Sequence, residues 1–158
     1  MKNLKTLVAH PLFRIFQNPI FLFVMWMCIT LVCCIFKLAQ GRYNNFLIFR
    51  QSYWDALAQI SLYLENLNAY LYGISFTVLI APFAVLPIPL GMILWCLANT
   101  AFLYYAIRKL EPETWKFTLI IWVSANDLYE AMVYQQYNVG IAAMIILAFV
   151  CIEKKKDF

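Results

Sequence analysis

The chain has 158 residues, of which 65% are hydrophobic and 13% charged, with a formal net charge of +4. Soluble domains sit nearer half apolar and a quarter charged, and a globule of this length cannot hide so much apolar surface. Composition and a mean hydropathy of +0.74 therefore exclude an ordinary soluble protein and point to an all-α fold: a polytopic bundle of membrane helices with no separate soluble domain.

The basic residues gather in the flanks, Lys2, Lys5 and Arg14 at the start and Lys154 to Lys156 at the end. Such flanks set the topology of membrane helices and do not call for a nucleic-acid partner. The five cysteines all lie in apolar runs, and the single histidine, His10, stands apart from them. That arrangement offers no zinc-ligand spacing and no disulfide framework, so the cysteines read as small hydrophobic residues.

Taken in order, residues 1–18 form a polar, basic lead. Pro19 to Phe36 is free of charge and close to the roughly 20 residues a spanning helix needs; it is too long and too aromatic for a signal peptide. Gly41 to Asn45 is turn-like. Phe46, Phe49, Tyr53, Leu57, Ile60 and Leu64 then recur at steps of three and four, an apolar stripe that predicts an amphipathic helix near 46–62 lying in the membrane interface. Glu65 to Asn68 ends it. Tyr70 to Leu86 is a second apolar run, interrupted by Pro82. Leu90 to Ile107 is a third and closes on Arg108 and Lys109. Pro112 opens the way to a fourth, Trp115 to Val133, and Val139 to Ile152 is a fifth, short one.

Five apolar segments and one interfacial helix do not give a consistent orientation. With the N-terminus cytoplasmic and one crossing per run, Arg108, Lys109 and Lys154 to Lys156 fall on the far side, against the positive-inside rule. Something between residues 40 and 89 must cross once more or dip back.

Acids are the informative polar class, because ionisable groups are costly within a membrane. Asp55 and Glu65 fall after the first helix and read either as a general base or as solvated surface charge. Asp127 and Glu130 are three apart, so they share a helix face. With Asn126, Gln135, Gln136 and Asn138 close in sequence, they either line a substrate cavity or bond between helices. There is no glycine-rich phosphate loop, no Gly-x-Ser-x-Gly, no His-Glu-x-x-His and no Cys-x-x-Cys, and four glycines in all disfavour a glycine-built nucleotide site.

Three stretches taken together carry a resemblance: Asn44 to Ser52 after the first helix, Ala81 to Pro87 followed by Leu94 to Asn99, and Gln136-Tyr137-Asn138 opening the last helix. In this order they are similar to the N-terminal part of glycosyltransferase family 87, polytopic enzymes of the GT-C type, over about residues 19 to 153. The resemblance implies transfer of mannose or a related hexose from a polyprenyl-phosphate donor at the non-cytoplasmic face of the plasma (inner) membrane, with no nucleotide cofactor. It implies apolar helices around the prenyl chain, Arg42 and Arg50 near the phosphate, and Tyr72, Gln136 and Asn138 at the substrate.

The chain also departs from the family pattern. Asn45 stands where the family carries a loop acid in the base role, which leaves Asp55 as the nearest acid to take it. Tyr72-Gly73-Ile74 lacks the family's proline after the tyrosine, and Gln135 replaces the glycine of Gly-Gln-x-Asn. Members are more than twice as long. The expectation is a truncated relative, or else a non-catalytic membrane subunit that packs against partner helices.

Overall fold

The computed structural model describes residues 14–63 and 70–153, so Lys2, Lys5, His10, Leu64, Glu65 and Lys154 to Lys156 lie outside the described residues. Among those described there are six α-helices and no strand: α1 Pro19–Ala39, α2 Asn44–Leu57, α3 Ser75–Ala84, α4 Ile88–Lys109, α5 Thr114–Val133 and α6 Asn138–Glu153. Asn18 starts α1 by accepting hydrogen bonds through Oδ1 from the amides of Ile20 and Phe21, with Pro19 at the first helical position, where a missing N–H costs nothing.

Two of the six, α1 and α4, are long and apolar enough to cross a membrane. The expectation of five apolar spans is met in length and apolarity by these two helices; the others are shorter or more charged. The run from Tyr70 to Leu86 is helical only over its ten residues Ser75–Ala84, with Pro82 inside. That is about 15 Å of helix, half of a hydrocarbon core about 30 Å thick. Helix α6 has sixteen residues, and α5, though twenty residues long, carries Lys116, Asp127 and Glu130.

The helix expected near 46–62 stops at Leu57. Gln59 turns left-handed with φ 57°, and the amide of Ile60 reaches back to the Asp55 carbonyl at 2.9 Å, a helix-ending pattern. Phe46 and Phe49 are buried as the stripe requires. Leu57 and Ile60 are not; they are 60% and 48% exposed.

Helix α4 is the centre, packed against α1, α3 and α6 and more lightly against α5. Leu22, Trp26, Thr30, Cys33 and Cys34 form the buried face of α1, at the three- and four-residue steps of a helical stripe. Thr30 and Thr100 join hydroxyls at 2.7 Å, and Thr100 also reaches the Met132 sulfur at 3.5 Å. Cys34 and Cys96 meet side to side, and the Trp26 indole donates to the Ile121 carbonyl at 3.2 Å.

These contacts fix direction. Tyr104 bonds the carbonyl of Pro19 while Cys96 meets Cys34, so α4 runs antiparallel to α1. Helix α5 runs with α1, from Ile121 beside Trp26 to Tyr134 beside Asn45. Helix α6 runs with α4, from Gly140 beside Asn99 to Ile146, which shares a groove with Ile107. Helices α2 and α3 therefore dip back to the end where α1 finishes and α4 starts, and Arg14, Arg108, Lys109 and the end of α6 at Glu153 all belong to the opposite end.

Candidate functional site

The end of the bundle that holds α2 and α3 is built on aromatic rings. Trp95 of α4 stacks on Tyr137 at 5.3 Å between centroids and meets Phe49, Phe76 and Phe83 edge-on. Tyr72 stacks on Phe76 at 4.6 Å and meets Phe49 at 5.3 Å. Rings at these separations add to simple burial. They clamp α2, the lead into α3, the start of α4 and the turn before α6. The Trp95 indole N–H is buried with no hydrogen-bond partner, and the rings around it leave only their faces as acceptors.

Beside this cluster lies a cleft of about 200 Å³ lined by Asn45, Ile48, Phe49, Leu71, Tyr72, Gln136 and Asn138. Four of the seven residues singled out from the sequence meet here: Asn45, Tyr72, Gln136 and Asn138. Asn138 Nδ2 donates to Gln136 Oε1 at 3.0 Å. Asn45 Nδ2 donates to the Tyr134 carbonyl at 2.7 Å. Burial holds the Tyr72 phenol above its ordinary pKa, against a backbone hydrogen bond from Tyr137 that acts the other way. Tyr70 and Tyr137 are pushed up in the same way, burial first. All three are neutral hydroxyls at physiological pH, able to donate as well as accept. The cleft is thus polar without being charged.

Two further openings border it. The first, about 440 Å³, includes Lys37, Arg42, Asn45, Tyr134 and Gln135 in its wall and no acid. Lys37 comes from the last turn of α1 and rests 5.4 Å from the Tyr134 ring. No pattern in the sequence singles it out, and only its meeting with Arg42 makes it part of a site. The second is a groove of about 430 Å³ between α4, α5 and α6. Its walls are mostly apolar, including Leu103, Ile107, Ile120, Val139 and Ile146. Gln136 and Asn138 stand in it as well as in the cleft, and Asp127 and Glu130 line it too. Of the two readings the sequence left open for that acidic pair, the geometry matches the cavity wall: both carboxylates are exposed.

Two of the seven stand elsewhere. Arg50 lines a shallow hollow with Leu47, Ile48 and Gln51, 5.9 Å from the Trp54 ring, with its Nε buried and unpartnered. Asp55 accepts from Gln51 Nε2 at 2.8 Å and is absent from the cleft wall. It lies ten residues along α2 from Asn45, about 15 Å, beyond the reach of direct proton transfer to anything held there.

The turn that presents Gln136 and Asn138 is strained. Gln135 has φ 49°, a left-handed conformation that costs a non-glycine residue roughly 1 kcal/mol or more. It closes α5 through Gln136 N to the Ala131 carbonyl at 2.9 Å. The Gln135 side chain, 2% exposed, folds back so that Nε2 bonds the Val133 carbonyl at 2.7 Å. This is the position where the resembling family's motif has glycine.

Comparison with known proteins bears on these same residues. The family model for glycosyltransferase family 87 matches residues 70–158, just over half of the chain. Tyr72, Gln136 and Asn138 lie inside the match, whereas Arg42, Asn45, Arg50 and Asp55 precede it. The resemblance read from about residue 19 is thus supported from Tyr70 onward. No curated protein and no solved structure matches the chain. The chain belongs to glycosyltransferase family 87, a membrane-associated family.

Proposed function

We propose, from membership of glycosyltransferase family 87, that this protein holds a lipid-linked sugar in the cleft at Asn45, Tyr72, Gln136 and Asn138 and serves transfer of a mannose-like hexose from a polyprenyl-phosphate donor. One observation carries the reading. A small uncharged cleft of amides and a phenol opens, through Gln136 and Asn138 common to both, into a long apolar groove. Amides and a neutral tyrosine hydroxyl suit sugar hydroxyls, and an apolar trench suits a prenyl chain. The adjoining pair Lys37 and Arg42 suits the phosphate between them.

In this reading the acceptor hydroxyl loses its proton to a carboxylate as its oxygen attacks the anomeric carbon, and the polyprenyl phosphate leaves with the bonding electrons. The carboxylates that share a wall with Gln136 and Asn138 are Asp127 and Glu130. Asp55 stands a long way down α2. In this reading the protein lies in the plasma membrane; Arg14, Arg108 and Lys109 at the opposite end of the bundle support that end being cytoplasmic and the cleft facing outward.

A second reading is a non-catalytic membrane subunit packed against partner helices. It is favoured by the amide of Asn45 and by the apolar faces that α5 and α6 leave uncovered, such as Val123 and Ile145 at 67% and 65% exposure.

The test is transfer of radiolabelled hexose from polyprenyl-phosphate donors by membranes holding the chain. Glu130→Gln and Asp127→Asn are compared with Asp55→Asn, and Gln136→Ala with the parent. Under the first reading, loss of the one groove carboxylate that takes the proton lowers transfer by about 100-fold or more, loss of the other lowers it less, and Gln136→Ala weakens it. If Asp55→Asn alone abolishes transfer, the base belongs on α2. Absence of transfer and of donor binding with every donor tried leaves the subunit reading.

A further inference from the structure

We infer that Asn45 is a positioning residue: its side-chain amide latches the α5–α6 turn to α2, which an ionised carboxylate at the same place cannot do. The inference rests on the reading of the cleft given above, but its geometry is independent of any sugar.

Asn45 stands in the first turn of α2, and its partner carbonyl, Tyr134, is the residue that ends α5. The 2.7 Å bond between them spans 89 positions of sequence. A carbonyl oxygen only accepts, so the contacting atom of Asn45 must be the amide nitrogen. The next residue, Gln135, is held left-handed, and the two after that place Gln136 and Tyr137 in the cleft and ring cluster. A strained turn of non-glycine residues returns to commoner conformations unless its surroundings hold it. Here the holders on its two sides are the Tyr137 ring, stacked on Trp95, and the Asn45 amide. The same Asn45 lines the cleft and the cationic opening beside it, so the latch sets the distance between the amides of the turn and the cations Lys37 and Arg42.

A carboxylate at this position would face the Tyr134 carbonyl with acceptor against acceptor. It would repel what the amide attracts. A protonated carboxyl carries an O–H and can donate again. Latching and proton abstraction therefore exclude each other at residue 45: an ionised acid able to act as a base there releases the turn.

The experiment is hydrogen exchange of the backbone amides of residues 134–138 in the full chain in detergent or nanodiscs. Parent, Asn45→Asp, Asn45→Ala and Asn44→Asp are each compared with the parent at the same pH, at neutral pH and again near pH 4. The amides of Tyr134, Gln135 and Gln136 are hydrogen-bonded across the turn, so their exchange reports its opening.

The expected result is exchange about tenfold faster in Asn45→Ala at both pH values, the effect of losing one hydrogen bond of ordinary strength. Asn45→Asp exchanges faster at neutral pH and returns toward the parent near pH 4, around and below which a free aspartic side chain takes up its proton. Asn44→Asp, with the same added charge one residue away, stays parental at both. Parental exchange in Asn45→Ala overturns the latch. So does an Asn45→Asp variant that opens the turn equally at both pH values, or an Asn44→Asp variant that mimics it. If a variant fails to fold, far-UV circular dichroism shows it and the pH comparison within Asn45→Asp alone decides. None of these readouts needs transfer activity. A failed transfer assay with an intact latch would count against the sugar reading and not against this one.

Discussion

The two ends of the bundle differ in what their polar side chains are left to do. At the end where α1 begins, rings pack too, Tyr104 against Phe23, Trp26 and Phe117 and Phe16 against Trp122, and their polar atoms bond backbone: Tyr104 to the Pro19 carbonyl, and the Trp122 indole to the Phe16 carbonyl at 3.3 Å. The ion pair of Glu113 with Lys116 sits there on the surface. At the other end a larger cluster of rings converges on Trp95, and amides, a phenol and cations line openings beside it. Some of them also bond within the fold, Asn45 to the Tyr134 carbonyl and Asn138 to Gln136. A polar side chain that still lines a cleft is available to a ligand, and the α2–α3 end is where the candidate site lies.

Trp95→Ala should break this contrast most severely. It removes the ring on which Phe49, Phe76, Phe83 and Tyr137 converge, at a cost of about 3–5 kcal/mol. Thermal unfolding followed by circular dichroism would show it, and a shift equal to that of a surface variant would refute the ring cluster as the organising element.

Gly140→Ala comes next. A methyl group there would run into the Tyr137 ring and lie 2.7 Å from Asn99 Oδ1, so α6 must move off α4. Overpacking of this kind costs about 1–3 kcal/mol, and the loss should appear in unfolding and in reduced protection of residues 137–143.

Alkaline pH should then loosen the α2–α3 end. Burial raises the pKa of Tyr70, Tyr72 and Tyr137 above the ordinary value of 10.0. Each is an acid whose folded pKa exceeds its unfolded one, so its contribution is intact below pH 10 and fades as pH rises through the folded values. Tyrosinate absorbance near 295 nm, followed with exchange at the cleft, should show the α2–α3 end loosening above pH 10. Full protection at the cleft while its tyrosines ionise would deny their part in holding it.

The smallest effect is expected at Lys116→Met. The Lys116–Glu113 pair holds the Glu113 carboxyl below its ordinary pKa, but both side chains are solvent-exposed, and such pairs contribute little. No resolvable change in melting temperature is expected.

Much of this was legible in the chain itself. Charge-free stretches of the right length marked α1 and α4. The prolines at 87 and 89 marked the close of the second apolar run, the place where α4 is found to begin, and Gln136 with Asn138 stood out as polar residues opening an apolar helix. What was not legible depends on contacts distant in sequence. The apolar stripe of α2 looked continuous to Leu64, yet Leu57 and Ile60 have nothing to pack against once Gln59 reverses the chain. Lys37 carried no signal in the sequence and stands out only because Arg42 lines the same opening. Asn45 read as a missing acid, because no local pattern reveals a bond to Tyr134. For the strained turn a signal did exist. A glycine in the resembling family's motif at the place of Gln135 hinted at a left-handed backbone, and that is the conformation found.

The dip of α2 and α3 also bears on how such a chain would be assembled. Only α1 and α4 have the length and apolarity to enter a bilayer unaided, and they lie against each other. Helix α5, with its two acids, and α6, with its sixteen residues, are weaker candidates for independent insertion. Each rests on one of the strong pair, α5 on α1 and α6 on α4. The early pair would act as a template on which the later hairpin is seated. A lesion in the α1–α4 contact, at Thr30 or Thr100, would then show first as misplacement of the hairpin that bears Gln136 and Asn138.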